Sequence, residues 1–342
     1  MFKEKKKKMK TIVIAGAESG VGKTTLAREI RDLIPGVQVA KIGHGQRKPG
    51  KEPAFYPCGT PFVFLAECHA GATILVVESN SIIREMQPDM LIFLSGKTTK
   101  PSAIPAKKQA DIVSGTLVTK HRLEILSRRL DLGVEVIRKI AWLAGVRPEP
   151  VTAIILAGGK SSRMGTNKAL LTLDGMTIIE HLCHTLLPWV DQILVSGAPN
   201  EKELLHGIRH VRDREGGMGP MMGLSTGLEA STTRVNVVVA CDMPEVNVFT
   251  LRKLLSFADE YEIVVPSVRT GTIEPLHGVY TKTVEKAVRQ LLAKEELRLA
   301  ALIDICRSKI IRVKKDMIGY NLNDPEEYQA YVSMWLKKEK TV

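Results

Sequence analysis

The chain has 342 residues, 44% of them hydrophobic and 25% charged, with a net charge of +12. That length favours two ordinary domains over one, and the composition allows each a buried core, which excludes a disordered or collagenous chain. No apolar run approaches the ~18–20 residues of a membrane-spanning helix, and the five cysteines, scattered and odd in number, suit a reducing compartment, so a cytoplasmic protein is expected.

The first ten residues hold six lysines against one glutamate, then run into Thr11-Ile-Val-Ile-Ala-Gly-Ala17. The outline resembles a signal peptide, but the apolar part is short and leads to Gly22-Lys23-Thr24 with no cleavage site. Residues 1–150 carry 25 Lys and Arg against 14 Asp and Glu, nearly all of the excess. The lysine cluster can neutralise phosphates. It lacks aromatics and any nucleic-acid module, so residues 1–10 read as a basic disordered tail, with no nucleic-acid or membrane partner expected.

Thr11–Ala15 is the first predicted strand, followed by Gly16-Ala17-Glu18-Ser19-Gly20-Val21-Gly22-Lys23-Thr24-Thr25 and a helical run from Leu26. This is the P-loop pattern with Ala17 in place of its first glycine. Backbone amides around Ser19, Gly20 and Gly22 are expected to cradle phosphates. Lys23 would reach the terminal phosphates, Thr24 would place Mg2+, and Thr25 and the helix N-terminus would complete the site. Further strands are predicted at Val37–Ile42, Thr73–Val77 and Met90–Leu94. Glu78, ending the third, is the expected partner carboxylate for the metal; Asp89, ahead of a strand, is less well placed. A long helical stretch covers Thr119–Leu143 with a weak point at Gly133.

Two prolines in Gly145-Val-Arg-Pro-Glu-Pro150 mark a linker over 147–151, separating a domain at 11–146 from one at 152–342. The second half offers strands at Thr152–Leu156, Gln192–Ser196, Val235–Ala240, Glu262–Pro266 and Lys309–Val313, again alternating with helical patterns. The expected fold class is therefore α/β in both halves, each with helices on both faces of a largely parallel sheet.

The first strand of this half runs into Ala157-Gly-Gly-Lys-Ser-Ser-Arg-Met-Gly165 and then Lys168. Glycines directly after a strand let the backbone approach phosphate oxygens, and Arg163 and Lys168 add charge there. Asp242, just past Val235–Ala240, stands where open α/β sheets bind ligands, and a carboxylate there suits Mg2+. Between them lies a glycine-rich stretch, Arg212–Gly223, ahead of a helix at Leu224–Ala230. It lines a cleft or forms a flexible loop. Glu274-Pro-Leu and Asn321-Leu-Asn-Asp-Pro325 are further polar clusters, and Asp324 with Pro325 reads as a helix start.

Five segments of this half, LAGGKSSRMGTNKALL, GPMMGLSTGL, VVVACDMP, EPLHGVY and NLNDPEEY, resemble molybdenum cofactor guanylyltransferases in order and spacing. The resemblance implies a Rossmann-like nucleotidyltransferase domain joining GMP from GTP to the terminal phosphate of molybdopterin. It places Leu156, Ala157, Gly158 and Gly159 on the guanine nucleotide, Lys168 on its phosphates, Asp213 on the nucleotide and Asp242 on Mg2+. Asn321 and Asn323 would lie beside the substrate. Ser196 stands where an asparagine is expected near the nucleotide. Cytidylyl transfer to the same cofactor and sugar-phosphate nucleotidyl transfer are the alternatives. Ala157-Gly158-Gly159 favours guanine, since the cytidylyl family tends to carry a second alanine there.

The first half resembles the MobB-type P-loop proteins through its loop, Lys41-Ile-Gly-His44 and the LVVES segment around Glu78. That implies a P-loop NTPase-like domain serving as a nucleotide-binding adaptor; a small-molecule kinase is the competing reading. Recipient molybdoenzymes or cofactor-insertion proteins are the implied partners. Cys58, Cys68 and His69 fit no zinc spacing, and His181, Cys183 and His184 read as a packed amphipathic helix.

Overall fold

The computed structural model describes residues 9–44, 53–158, 171–173, 175–197, 208–268, 271–314, 317–318, 322 and 325–339. The chain divides into two compact units, Met1–Glu149 and Pro150–Val342. Arg147 still belongs to the first, donating to the Thr116 carbonyl and accepting from Val118, and Val151 already opens a strand of the second.

In the first unit the described elements run β1 (Lys10–Gly16), α1 (Lys23–Leu33), β2 (Val37–Gly43), β3 (Ala54–Pro57), α2 (Phe62–Cys68), β4 (Ile74–Glu78) and β5 (Met90–Leu94). Then follow α3 (Ile104–Gln109), β6 (Ile112–Val113), α4 (Lys120–Leu130) and α5 (Val134–Leu143). The strands form one sheet in the order β3-β2-β4-β1-β5-β6, every described pairing parallel. Both faces are covered, which is why β4 and β5 are apolar almost throughout. Ile12, Ile14, Val76 and Ile92 pack with α1, α4 and α5 on one side. Val13, Ala15, Val77 and Phe93 point the other way, toward Leu65 of α2 and Ala106 of α3.

The helical stretch expected at Thr119–Leu143 is two helices. Thr119 caps α4, its Oγ1 accepting from Arg122 N at 3.2 Å, and the chain leaves α4 through Asp131 in a left-handed conformation. Gly133 then starts α5. The break falls two residues before the weak point, because Asp131 tolerates positive φ better than its neighbours.

The second unit contains β7 (Val151–Leu156), β8 (Thr172–Leu173), β9 (Met176–Thr177), α6 (Ile178–Leu186), β10 (Gln192–Ser196) and β11 (Arg209–Val211). It continues with α7 (Gly219–Ala230), β12 (Val235–Ala240), α8 (Val248–Leu255), β13 (Ile263–Ser267) and β14 (His277–Thr281). The last elements are α9 (Glu285–Leu292), α10 (Leu299–Ile305), β15 (Ser308–Arg312) and α11 (Pro325–Glu339). Seven strands join in the order β11-β10-β7-β12-β14-β13-β15, and β8 with β9 forms a separate hairpin. β14 runs antiparallel to both neighbours, and the remaining described pairings of the large sheet are parallel. Ile154, Leu156, Val238, Val265 and Tyr280 pack with α7, α9 and α10 on one face, and α8 lies against β13 and β14.

The glycine-rich stretch before Leu224 is not a loop to its end: α7 already begins at Gly219, with Pro220 in its first turn. Among the described residues no helix is long and apolar enough to cross a membrane.

Candidate functional site

Two constellations stand at the carboxyl ends of parallel strands, one in each unit. In the first, β1 delivers Gly16 to the loop that starts α1. Asn80, just past β4, clamps this exit from both sides: its Oδ1 accepts from Gly16 N at 2.9 Å and its Nδ2 donates to Gly16 O at 3.0 Å. Ala17 is fully buried, its N–H donating to Leu94 O and its carbonyl accepting from Lys100 N. Its φ is not positive, so an alanine serves where the P-loop pattern carries glycine. The Glu18 carboxylate accepts from Lys97 N at 2.9 Å and Thr98 Oγ1 at 3.1 Å, tying the loop to the segment after β5.

Thr24, in the first turn of α1, donates through Oγ1 to Glu78 Oε2 at 2.6 Å. Lys41 Nζ reaches Glu78 Oε1 at 2.9 Å and Thr24 Oγ1 at 3.1 Å. Lys23 Nζ turns back onto the Glu18 carbonyl at 2.9 Å. Burial holds the Lys23 ammonium below its ordinary pKa; Glu78 pulls it back up, and Lys41 and Lys100 push it further down. The residues expected from the sequence, Ser19, Gly20, Gly22, Lys23, Thr24, Thr25 and Glu78, all line one cavity of about 910 Å³. Lys41 and His44 line it too, joined by Asn80 and Lys100, which the sequence did not single out. Asp89 lies elsewhere: it accepts from Thr11 N and Thr11 Oγ1 at the opposite end of β1, where it anchors the sheet.

In the second unit, β7, β10 and β12 end side by side. Ala157 N donates to Ser196 O at 2.8 Å and Cys241 N to Leu156 O at 3.0 Å, so the backbones after the three strands stay stitched together. Gly158 and Gly197 meet here. Gly197 has φ +80, and a Cβ on it would fall 2.7 Å from Gly158 Cα. Only glycine satisfies both demands. Asp213, past β11, closes the group: Ser196 Oγ donates to its Oδ1 at 3.0 Å, and its Oδ2 lies where side chains on Gly158 or Gly197 would be. Ser196 is fully buried, and its hydroxyl orients Asp213.

Asp242 follows β12. The β12–β14 register pairs Val239 with His277, and Ala240 N donates to Leu276 O at 3.1 Å. The chain then turns, His277 N donating to Glu274 O at 3.2 Å, and brings Glu274 within electrostatic reach of Asp242. Burial, and then the Asp242 charge, raise the Glu274 pKa above the usual carboxylate value. Glu274 was a polar cluster of no assigned role in the sequence; its relation to Asp242 depends on an antiparallel pairing that the strand pattern did not disclose. Leu322, between Asn321 and Asn323, donates to Asp242 O at 2.8 Å. Gly159, Arg163, Lys168, Asn321, Asn323 and Asp324 lie outside the described residues.

The histidines and cysteines do other work. His69 is spent on Tyr56 OH at 3.0 Å and Gln38 Oε1 at 2.6 Å, and burial lowers its pKa. Cys58 and Cys68 are exposed, Cys183 is buried within α6, and His181 Nε2 meets Leu173 O at 2.7 Å. Among the described residues no group of three or more His, Cys, Asp or Glu is placed to hold a metal.

Residues 153–307 match the MobA-like NTP transferase domain. A probable molybdenum cofactor guanylyltransferase of Carboxydothermus hydrogenoformans is 33% identical over 196 residues, covering 55% of this chain and 98% of the relative. One from Clostridium perfringens is 31% identical over 199 residues, with the same coverage. Among solved structures, molybdopterin-guanine dinucleotide biosynthesis protein A of Archaeoglobus fulgidus aligns at 20% identity and a TM-score of 0.48, over 54% of this chain and 99% of that one.

Proposed function

Since the chain belongs, through its second half, to the MobA-like NTP transferases and that half is a nucleotidyltransferase, we propose that it transfers GMP from GTP to the terminal phosphate of molybdopterin. The observation that carries this reading is the convergence of Gly158, Gly197 and Asp213 beside Asp242 at four adjacent strand ends. A nucleotide laid over Gly158 meets bare backbone, with the Asp213 carboxylate available to donors on a purine edge. The glycine pair in Ala157-Gly158-Gly159 supports guanine over cytosine.

In this reaction a phosphate oxygen of the acceptor attacks the α-phosphorus of GTP. The new P–O bond forms as the bond to the bridging oxygen breaks, and pyrophosphate leaves with the electron pair. The attacking group is already an anion, so no strong general base is required. The protein's contribution is alignment and charge neutralisation. Arg163 and Lys168 would take the phosphate charge, and Asn321 and Asn323 the acceptor. Asp242, with Glu274 within reach of its charge, supplies hard oxygen donors that would suit Mg2+, which when bound would lower the cost of bringing two phosphates together.

The first unit, in our reading, is a MobB-type P-loop module that binds a nucleoside triphosphate with Mg2+ and acts as an adaptor for the cofactor. Its support is the loop wrapped on α1 with Thr24 on Glu78. Slow hydrolysis without transfer to a small acceptor distinguishes an adaptor from a kinase.

The deciding experiment is pyrophosphate release by the intact chain with Mg2+ and molybdopterin, given GTP, CTP or ATP in turn. Release is expected with GTP alone, about a hundredfold or more slower in Asp242→Ala and unchanged in Lys23→Ala. A preference for CTP would move the reading to cytidylyl transfer. Release only with sugar phosphates as acceptor would overturn molybdopterin as the substrate.

A further inference from the structure

The glycine-loop site of the first unit holds a positive charge of its own. β2 and β4 run in parallel with Lys41 beside Glu78 in the register, so both side chains issue from neighbouring positions at the carboxyl end of the sheet. Their closeness is set by the backbone pairing as much as by the side chains. The Glu78 side chain is 6% exposed. A carboxylate buried to that degree needs a positive partner, because leaving it bare forfeits its hydration with nothing in return.

Lys41 meets that need, and it does so in a particular place. Its ammonium contacts both oxygens a divalent cation would use, Glu78 Oε1 at 2.9 Å and Thr24 Oγ1 at 3.1 Å. A hydroxyl from the first turn of the helix and a carboxylate from an adjacent strand are hard oxygen donors suited to Mg2+ in a triphosphate pocket. A free divalent ion entering here would bring two more positive charges into a cavity already lined by Lys23, Lys41 and Lys100. A triphosphate reverses that balance. Its oxygens offer Lys41 a new anionic partner, and the Lys41 side chain, 35% exposed, has the length and freedom to reach it.

We propose that Lys41 is a built-in counter-ion of this site: its ammonium occupies the subsite of Thr24 and Glu78, excludes free divalent cation, and yields only to a cation arriving with a triphosphate. The inference rests on the P-loop reading of the unit. It makes Lys41 a positioning residue, one that decides in what form the metal enters.

The test is Mn2+ binding to the intact chain, followed by electron paramagnetic resonance, without nucleotide and then with GTP. Without nucleotide, Lys41→Met is expected to gain a Mn2+ site about tenfold or more tighter than any the wild type shows at this unit. Adding Glu78→Gln should abolish the gain, which locates the ion at Glu78 rather than at Asp242. Lys41→Arg, keeping the charge, should behave as wild type. Should Lys41→Met fail to fold, Lys41→Gln, which retains a neutral donor, is expected to show the same gain. No gain in either neutral variant, while Mn2+–GTP binding still depends on Lys23, overturns the counter-ion and leaves the P-loop reading standing. Mn2+–GTP binding indifferent to both Lys23→Ala and Thr24→Ala overturns the P-loop reading, and the counter-ion falls with it.

Discussion

His277 lies 1% exposed at the start of β14, and among the described residues neither of its ring nitrogens has a hydrogen-bond partner. Burial pushes its pKa down to about 4, so the imidazole is neutral at pH 7. The unfolded chain, titrating near 6.5, takes up a proton that the folded state refuses. The stability His277 permits is therefore full above pH 6.5 and drains away as the pH falls toward 4, at up to about 1.4 kcal/mol per pH unit. Urea unfolding at pH 7.5 and pH 5 should show a lower midpoint at pH 5, and His277→Phe should narrow the difference. An equal drop in both proteins would mean that other groups carry the acid sensitivity. At this scale the candidate sites were unevenly legible. Lys23 and Thr24 stand out because their chemistry follows a fixed local spacing, and Glu78 because it ends a predicted strand. Ser196 was read as a residue near the nucleotide, and its role as a support for Asp213 emerges only once β10 and β11 are paired.

Among the elements, α7 shows best why the sequence misleads. Its first turns, Gly219–Gly223, read as the end of a glycine-rich stretch ahead of a helix at Leu224, because glycine disfavours helix. The glycines are there for contact instead: a Cβ on Gly227 would strike the Ile154 side chain, and one on Gly223 would sit 3.2 Å from Leu156 Cδ2. These two residues let α7 lie close over β7, which ends in the site. Gly227→Leu is accordingly expected to force the two apart, destabilising the second unit by about 1–3 kcal/mol and slowing pyrophosphate release more than it alters the secondary structure seen by circular dichroism. Unchanged melting and activity would count against this packing role. The long strands were readable because two-sided burial makes them nearly continuous apolar runs, such as Met90–Leu94. β6 and β11 are too short to leave a pattern, and β14 has a histidine and a glycine at its start.

At the scale of the whole chain, each unit has its own sheet and its own hydrophobic clusters. Each half should therefore fold alone. Residues 150–342 expressed separately are expected to release pyrophosphate at the intact rate, and residues 1–149 to unfold in a cooperative transition of their own by calorimetry. An insoluble or inactive second half would show that the two are not independent. Tethering would then matter for delivery of the product rather than for its synthesis, through the high local concentration of one module near the other.

The position of β14 also sets an order of assembly. It follows β13 in the chain yet lies between β12 and β13 in the sheet. While the ribosome is still extending the chain, β13 has emerged but has no neighbouring strand to join, and the edge of β12 stays bare until residue 281 is free. β7, β10 and β12 can pair early, whereas the approach of Glu274 to Asp242 waits for this one insertion. Such non-local pairing is slow to form, so the close approach of Gly158 and Gly197 should be in place before Glu274 comes near Asp242.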